Sequence, residues 1–331
     1  MEVFLYIVNA FFYLDLHLYL ISRSDIMSSK ILVKLLEALV ARLPNWHEMI
    51  SPLNEEIKRL EAGITGEEFI RKIIVGQPYM LISDVILEQQ QIDFIVLTER
   101  SCVVLEVKNI RGKIQLTDSP RQMLRELDDG TVNIFTSPVA QLENNIRSVR
   151  HLFKKYNWEL PIYGAICFPF NTSTFSTFQS DYPILVGKDI LNFLARVQKG
   201  EMRINAKQVK QLARQVRQAS VPYVRDPLCV RYKIDFADLK VGCRCPACGH
   251  VGMTRKFAEW VCVGCGKCSR DAHKAALFEY AHMVSDTITI AEAMEFLGVG
   301  NRHVTRRLLL DAKAKQEGRT NKSIYKLSTG R

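Results

Sequence analysis

The sequence predicts an α/β fold followed by two small modules, and three observations support this prediction. Between residues 53 and 168, apolar patterns of helical and strand period alternate in the order α-β-β-β-α-β, as in an α/β sandwich. Six of the nine cysteines lie between Cys243 and Cys268, a clustering typical of a local metal site. Residues 240–331 hold 16 basic and 8 acidic residues, most of the chain's net charge of +10.

Composition limits the class of protein. A chain of 331 residues is long enough for two or three domains with a sizeable buried core. Its 47% hydrophobic and 24% charged residues exclude collagen-like, coiled-coil and wholly disordered chains. The basic end predicts a module that binds a polyanion. Because the remaining three cysteines are scattered, we expect reduced thiols and a cytoplasmic location.

The helices are predicted from residues that recur every three to four positions and from proline positions. Pro44 ends the first helix, and Pro138 begins a long one that carries Leu142, Ile146 and Val149 on one face. Gly63 interrupts the second with a poor helix former. The predicted helices cover residues 31–43, 53–75, 138–156, 189–197 and 206–218.

The strands are predicted from short apolar runs separated by turns. The run CVVLEVK at 102–108 is apolar almost to its charged end, which is typical of a central strand covered on both faces. The predicted strands cover residues 79–87, 92–98, 102–108, 113–116, 162–168 and 183–186.

The first 26 residues allow two interpretations. Residues 3–21 are close to membrane-spanning length, but no Lys or Arg precedes them, and Asn9, Asp15 and His17 interrupt the apolar run. We favour an extension upstream of a translation start at Met27, and membrane attachment is therefore not expected. The alternative is an anchor that holds the rest of the chain in the cytoplasm.

A carboxylate–lysine set is the main chemical feature of the first domain. Asp93 lies on one predicted strand, and Glu106 and Lys108 lie on one face of the next. Two carboxylates beside a lysine suit Mg²⁺, which prefers oxygen ligands. Such an ion polarises a phosphoryl oxygen and activates water, and the ammonium can orient that water. Glu67 can add a third carboxylate, and Gln141 lies in the first turn of the long helix.

Four motifs in this region occur in the order of a known family. They lie in GITGEEFI (63–70), QIDFIVLTERSCVVLEVKNIRGKI (91–114) and SPVAQLENNIRSV (137–149). The ordered set, G-E, Q-I-D, E-V-K-N-x-x-G and P-x-x-Q, resembles the nuclease-related domain, or NERD. This family is assigned to the PD-(D/E)XK nuclease superfamily. The superfamily motif has a proline before its first aspartate, where this chain has Ile92, and NERD sequences generally show this difference.

The resemblance implies a PD-(D/E)XK-like fold and a site. By position, Glu67, Asp93, Glu106 and Lys108 correspond to the active-site set, with Gln141 as a companion on the helix. Asp93 and Glu106 correspond to the ligands of Mg²⁺ or Mn²⁺. The implied activity is metal-dependent hydrolysis of DNA phosphodiester bonds, with no small-molecule cofactor. The alternative is a nucleic-acid-binding protein that keeps the nuclease fold without catalysis.

The cysteine cluster predicts a structural Zn²⁺ site. The pair Cys245-x2-Cys248 is separated from Cys262-x2-Cys265 by 13 residues, a spacing typical of a zinc ribbon. Four thiolates leave no position open for a water molecule. The sequence also offers Cys268 as a partner of Cys265, and Cys243 or His250 in the first pair. We favour 245/248/262/265, as in zinc ribbons that accompany NERD domains.

The C-terminal segment predicts a winged helix-turn-helix-like module. Thr289 begins a helix with a capping box, a glycine-containing turn follows, and a basic helix covers residues 303–312. A docking subdomain with solvated arginines is the alternative. The predicted nucleic-acid-binding side chains are Arg302, His303, Arg306 and Arg307 on the helix, with Arg319 and Lys322 in a basic wing.

These motifs define the expected organisation of the chain. In order, it comprises an N-terminal extension over 1–26, the NERD-like domain over 27–220, a linker over 221–240, the zinc ribbon over 241–270 and the helical module over 271–331.

Overall fold

The computed structural model describes residues 29–176, 180–221, 226–318 and 323–329. The chain divides into two compact units, which we call the nuclease-like unit (Arg59–Tyr223) and the ribbon unit (Met1–Lys58 with Val224–Arg331). Both interpretations of residues 1–26 concern a segment outside the described residues. Across the described ranges, every helix is too short or too polar to cross a bilayer.

The helices predicted from the sequence are observed, with ends that agree to within a few residues, and α6 and α7 lie outside the predicted ranges. The second helix continues through Gly63 and Gly66. The described helices are α1 (Ser29–Arg42), α2 (Ile50–Ile74), α3 (Pro138–Lys155), α4 (Asp189–Val197), α5 (Ala206–Ala219), α6 (Leu228–Tyr232), α7 (Ala272–Met283), α8 (Ile290–Leu297) and α9 (Arg302–Asp311).

The strands form four sheets, two in each unit, and together with the helices they confirm the α/β class. The described strands are β1 (Met80–Leu87), β2 (Gln90–Leu97), β3 (Cys102–Val107), β4 (Gly112–Asp118), β5 (Arg121–Glu126), β6 (Val132–Thr136), β7 (Ile162–Phe168), β8 (Ser173–Phe175), β9 (Ile184–Val186), β10 (Cys243–Arg244), β11 (Val251–Lys256), β12 (Glu259–Val261), β13 (Cys268–Ser269), β14 (Thr287–Thr289), β15 (Lys315–Glu317) and β16 (Ile324–Lys326).

The central sheet of the nuclease-like unit has the order β1-β2-β3-β7-β9. β1, β2 and β3 are antiparallel, and β3, β7 and β9 are parallel. Every residue of β3 is buried, because α3 packs on one face of the sheet while α2 and α4 pack on the other. The carboxyl ends of three parallel strands therefore meet at one edge, where ligands commonly bind in α/β folds.

A second sheet, with the order β6-β5-β4-β8, extends the nuclease-like unit. Strands β5, β6 and β8 were not predicted from the sequence. The residues of β5, RQMLRE, include two apolar side chains, and β6 leaves Val132 and Ile134 exposed. Hydrophobic alternation depends on one buried face, so such strands give a weak signal.

Helix α1 belongs to the ribbon unit, although the sequence predicted it to be part of the first domain. Its Arg42 side chain is fully buried and donates through Nε and Nη2 to Glu279 Oε2, at 3.2 and 2.7 Å. Arg42 Nη1 also donates to the carbonyl oxygens of Lys240 and Gly242. The apolar face of an amphipathic helix predicts burial but does not identify the surface that buries it.

The C-terminal module contains the expected helices and hairpin. The Thr289 side chain accepts from the Glu292 N–H, and the Glu292 side chain accepts from the Thr289 N–H. These two hydrogen bonds form the capping box of α8. Gly298 ends α8 with a φ of +66°, and the Asn301 side chain caps α9. In the predicted linker, the described residues 226–240 include α6 and a short 3₁₀ helix.

Candidate nuclease site and zinc centre

The carboxylates of Asp93 and Glu106 lie side by side on neighbouring antiparallel strands. Phe94 pairs with Leu105, which places Asp93 opposite Glu106. Asp93 Oδ2 accepts from the Val107 N–H at 2.8 Å, and Lys108 Nζ donates to Glu106 Oε1 at 2.7 Å. The structure thus brings together three of the predicted site residues, as strand alternation required.

The electrostatic environment of Asp93 is unfavourable for a carboxylate. Burial raises the pKa of Asp93 well above its usual range, and the charges of Glu106 and Glu67 raise it further. The Val107 N–H and the Lys108 ammonium act in the opposite direction. A cation between the acidic groups would stabilise their charged forms.

Helix α2 brings Glu67 towards this pair through a close approach at Gly66. A Cβ at Gly66 would lie 2.8 Å from Asn109 Cβ and 3.1 Å from Pro169 Cγ, so the helix packs at a distance that requires glycine. Asn109 Nδ2 also donates to the Ala62 carbonyl at 2.8 Å. The G-E and E-V-K-N motifs therefore act together. Gly66 of the first allows α2 to pack closely, and Asn109 of the second holds the helix there through its hydrogen bond to Ala62.

Helix α3 contributes two amides on one face. Asn145 Nδ2 donates to Glu106 Oε2 at 3.1 Å, and the Asn145 side chain is buried. Gln141 precedes Asn145 by one helical turn and therefore lies on the same face. Among the described residues, no donor reaches its buried Oε1 atom. Gln141 was predicted from the sequence and Asn145 was not, although its i+4 spacing from Gln141 was an available signal.

The donor set fits a hard divalent cation. Asp93 and Glu106 offer carboxylate oxygens, which Mg²⁺ prefers as ligands while it keeps several waters. Glu67 is more distant. Within the described ranges, no three acidic side chains bring their oxygens within 4.8 Å of one another. The sequence allowed three carboxylates to meet at one point. In the structure, Asp93 and Glu106 form a pair, and the charge of Glu67 acts on Asp93 from farther away.

The four predicted zinc ligands do converge. The ligand atoms of Cys245, Cys248, Cys262 and Cys265 all lie within 4.8 Å of one another. The Sγ atoms of Cys245 and Cys265 are 3.7 Å apart, and those of Cys248 and Cys262 are 3.6 Å apart. Tetrahedral Zn²⁺ with Zn–S bonds of about 2.3 Å requires sulfur atoms about 3.8 Å apart. The cluster is consistent with a structural zinc ribbon.

Two similar turns build this cluster. The Gly249 N–H donates to the Cys245 carbonyl, and the Gly266 N–H donates to the Cys262 carbonyl. Both glycines have positive φ, at +76° and +70°. Cys243, Cys268 and His250, the alternatives in the sequence, are outside the group of converging ligands.

The predicted basic side chains of α9 are exposed. They are Arg302, His303, Arg306 and Arg307, and Arg306 Nη2 also donates to Gln316 Oε1 at 3.1 Å. Arg319 and Lys322 lie outside the described residues. The structure thus gives the helix a basic face, and a nucleic-acid interface there stays a prediction.

A comparison with family models matches residues 62–169 to the nuclease-related domain. The match covers Glu67, both carboxylate strands and α3, and it confirms the resemblance carried by the sequence motifs. Comparisons with curated proteins and with solved structures gave no match.

Proposed function

We propose that this chain, which contains a nuclease-related domain, is a metal-dependent nuclease that hydrolyses phosphodiester bonds of DNA. The observation that carries the proposal is the Asp93–Glu106 pair, with Lys108 Nζ 2.7 Å from Glu106 Oε1. Burial and the neighbouring Glu106 charge raise the pKa of Asp93, and a perturbed carboxyl group of this kind is common where a site is built for a ligand.

Each residue of the set has a proposed role. Asp93 and Glu106 would hold Mg²⁺ or Mn²⁺, which when bound supplies a Lewis acid and a more acidic water. Lys108 orients the attacking water or stabilises the negative charge that develops on the phosphate. Glu67 orients the same water from α2.

Two amides on α3 complete the proposed site. Asn145 is a positioning residue, because its Nδ2–H group donates to Glu106 Oε2 and so fixes the orientation of the carboxylate. Gln141 contributes the buried Oε1 acceptor, which a water at the site can satisfy.

The ribbon unit would bind the DNA rather than cleave it. A zinc site made of four thiolates is coordinatively closed and supports structure. The basic face of α9 and the wing residues Arg319 and Lys322 are proposed to contact phosphates, which makes binding strongly salt-dependent. The free thiols of the chain suit a reducing, cytoplasmic location.

A cleavage assay tests the proposal. Plasmid DNA is incubated with wild type, Asp93→Asn and Glu106→Gln in Mg²⁺ or Mn²⁺. Loss of metal-assisted charge stabilisation is worth several kcal/mol, so we expect both variants to cleave about a thousandfold more slowly. Glu126→Gln is the matched control, because Glu126 is an exposed acid of the same unit that pairs with Lys113.

The outcome also separates the alternative function. Equal cleavage by wild type and Asp93→Asn would remove these residues from the site. DNA binding without cleavage in any divalent metal would instead favour a binding protein that keeps the nuclease fold, for which the basic face of α9 provides the surface.

A further inference from the structure

An aromatic cleft lies at the carboxyl ends of β7 and β9, in the nuclease-like unit. It has a volume of about 510 Å³. The rings of Phe69 and Phe170 form its apolar part, with centroids 4.9 Å apart and planes tilted by 56°. Both rings are half-buried, so each keeps part of its surface accessible. Lys188, Asp189 and Asn171 line the rest of the cleft and give it a polar side.

The cleft adjoins the candidate catalytic residues. The Lys108 N–H donates to the Cys167 carbonyl at 2.9 Å, which places the end of β3 beside the end of β7, where Pro169 and Phe170 follow. The Gly187 N–H donates to the Phe168 carbonyl at 2.9 Å, which places the end of β9 next in line. Because neighbouring strands lie about 4.8 Å apart, the cleft begins about one strand from Lys108.

Helix α2 links the two sites directly. Phe69 follows Glu67 by two residues, and Gly66 packs against Pro169. The close approach that brings Glu67 to the carboxylates therefore also brings Phe69 to Phe170. One helix sets the distance between the acidic site and the aromatic cleft.

The chemistry of the cleft suits a nucleobase. A base has a flat π-face that stacks on aromatic side chains and a polar edge that forms hydrogen bonds. Phe69 and Phe170 offer the rings, while the Asn171 amide and the Asp189 carboxylate offer partners for the edge. The exposed ammonium of Lys188 can contact the phosphate of the same strand. A base inside a duplex cannot reach such a cleft without leaving the stack.

We infer that this cleft is a subsite for one unpaired nucleobase of the DNA strand whose phosphate lies at the carboxylate pair. The inference rests on the proposed nuclease function and narrows its substrate to single-stranded or locally opened DNA. Phe170 provides the main stacking surface, and Phe69 supports it from α2.

Binding measurements without added divalent metal test the subsite independently of cleavage. The probes are a fluorescent single strand of about 12 nucleotides, the same strand with abasic positions, and the corresponding duplex. We expect Phe170→Ala to bind the intact single strand about tenfold more weakly and the duplex almost unchanged. Wild type should bind the abasic strand about tenfold more weakly than the intact one, and Phe170→Ala should bind both alike.

Two further variants make the result specific. Phe170→Tyr keeps the ring and should bind like wild type, while Tyr163→Ala removes an exposed aromatic side chain from the same strand, β7, and should also bind like wild type. Thermal melting checks that each variant is folded. Equal losses on single strand and duplex, no loss for Phe170→Ala, or wild-type binding that ignores abasic positions would overturn the subsite.

The two proposals fail in different ways. If the base dependence at Phe170 is observed but no metal supports cleavage, the subsite stands and the nuclease function fails. If Asp93-dependent cleavage is observed without base dependence, the nuclease stands and the subsite fails.

Discussion

The two candidate metal sites of this protein are built in opposite ways. The cysteine cluster takes its four ligands from 21 consecutive residues, Cys245–Cys265, through two short turns of the same design. The carboxylate site takes its residues from α2, β2, β3 and α3, and it exists only when those elements pack. The first site is a local structure that a metal can organise by itself, whereas the second depends on the whole fold around it.

The sites also differ in what they contribute to stability. Zinc bound to four thiolates adds its binding free energy to folding. The raised pKa of Asp93 means that its ionisation lowers stability as the pH rises, because burial and the Glu106 charge both oppose the charged form in the folded chain. Under the proposed function, the first metal would maintain structure and the second would take part in catalysis.

The largest expected effect is the loss of zinc. Structural zinc sites bind with apparent free energies of about 10–16 kcal/mol in zinc-finger peptides, more than most domains have in total stability. We expect Cys248→Ser to lose the metal and to unfold the ribbon unit, while the nuclease-like unit keeps its own transition. Zinc content and calorimetric melting measure both quantities.

The matched control is Cys268→Ser. Cys268 is exposed and lies outside the converging group, so this variant should keep one zinc per chain and the wild-type melting curve. Zinc loss in Cys268→Ser would mean that the Cys265-x2-Cys268 pairing, which the sequence left open, is the true one.

A smaller effect is expected at the helix that carries Glu67. Gly66→Ala places a Cβ 2.8 Å from Asn109 Cβ, so α2 or the loop after β3 must move, at a cost of about 1–3 kcal/mol. Activity should fall by more than the stability loss implies, because Glu67 moves with the helix. Urea unfolding and initial cleavage rates on one preparation measure the two effects.

Gly63→Ala provides the comparison on the same helix. A Cβ there meets no atom of the described residues within 4 Å, and replacing a glycine in a helix interior with alanine stabilises by about 0.5–1 kcal/mol. Gly63→Ala should therefore be at least as stable as wild type and fully active. If both alanine variants behave alike, the close approach at Gly66 does not position the site.

The smallest effect concerns acid sensitivity of the ribbon unit through His273. Trp260 Nε1 donates to His273 Nδ1 at 3.3 Å, so the neutral ring carries its proton on Nε2, which donates to Asp311 Oδ2 at 3.0 Å. Burial lowers the pKa of His273 below its ordinary value of 6.5, although Asp311 opposes this shift. Below pH 6.5 the unfolded chain binds a proton that the folded chain resists, so stability falls as the pH falls.

A His273→Gln variant isolates this contribution. The two proteins differ only at residue 273, so the pH dependence of the difference in unfolding free energy between wild type and variant reports on His273. We expect the advantage of wild type to shrink as the pH falls from about 7.5 to about 5. A difference that is independent of pH would exclude His273 as the source.

Much of the candidate site could be predicted because its signals are local. Asp93, Glu106 and Lys108 follow from strand alternation, and the four cysteines follow from their spacing. Helix boundaries at Pro138 and Thr289 follow from proline and capping chemistry, which act within a few residues.

The rest depends on contacts that the sequence pattern does not encode. The need for glycine at Gly66 arises from Asn109 and Pro169, which are distant in the chain. Asn145 acquires its role only because α3 packs over Glu106. β5 has one buried residue, Met123, and β6 has two exposed apolar ones, so neither strand shows a clear hydrophobic alternation. The burial of Arg42 against Glu279 links residues 237 positions apart.

Calorimetric titration with Mn²⁺ tests the central claim that Asp93 and Glu106 form a divalent-cation site. The zinc-loaded protein should bind one Mn²⁺ per chain, and Asp93→Asn should lose that binding while retaining its zinc. Equal Mn²⁺ binding by wild type and Asp93→Asn would contradict the account.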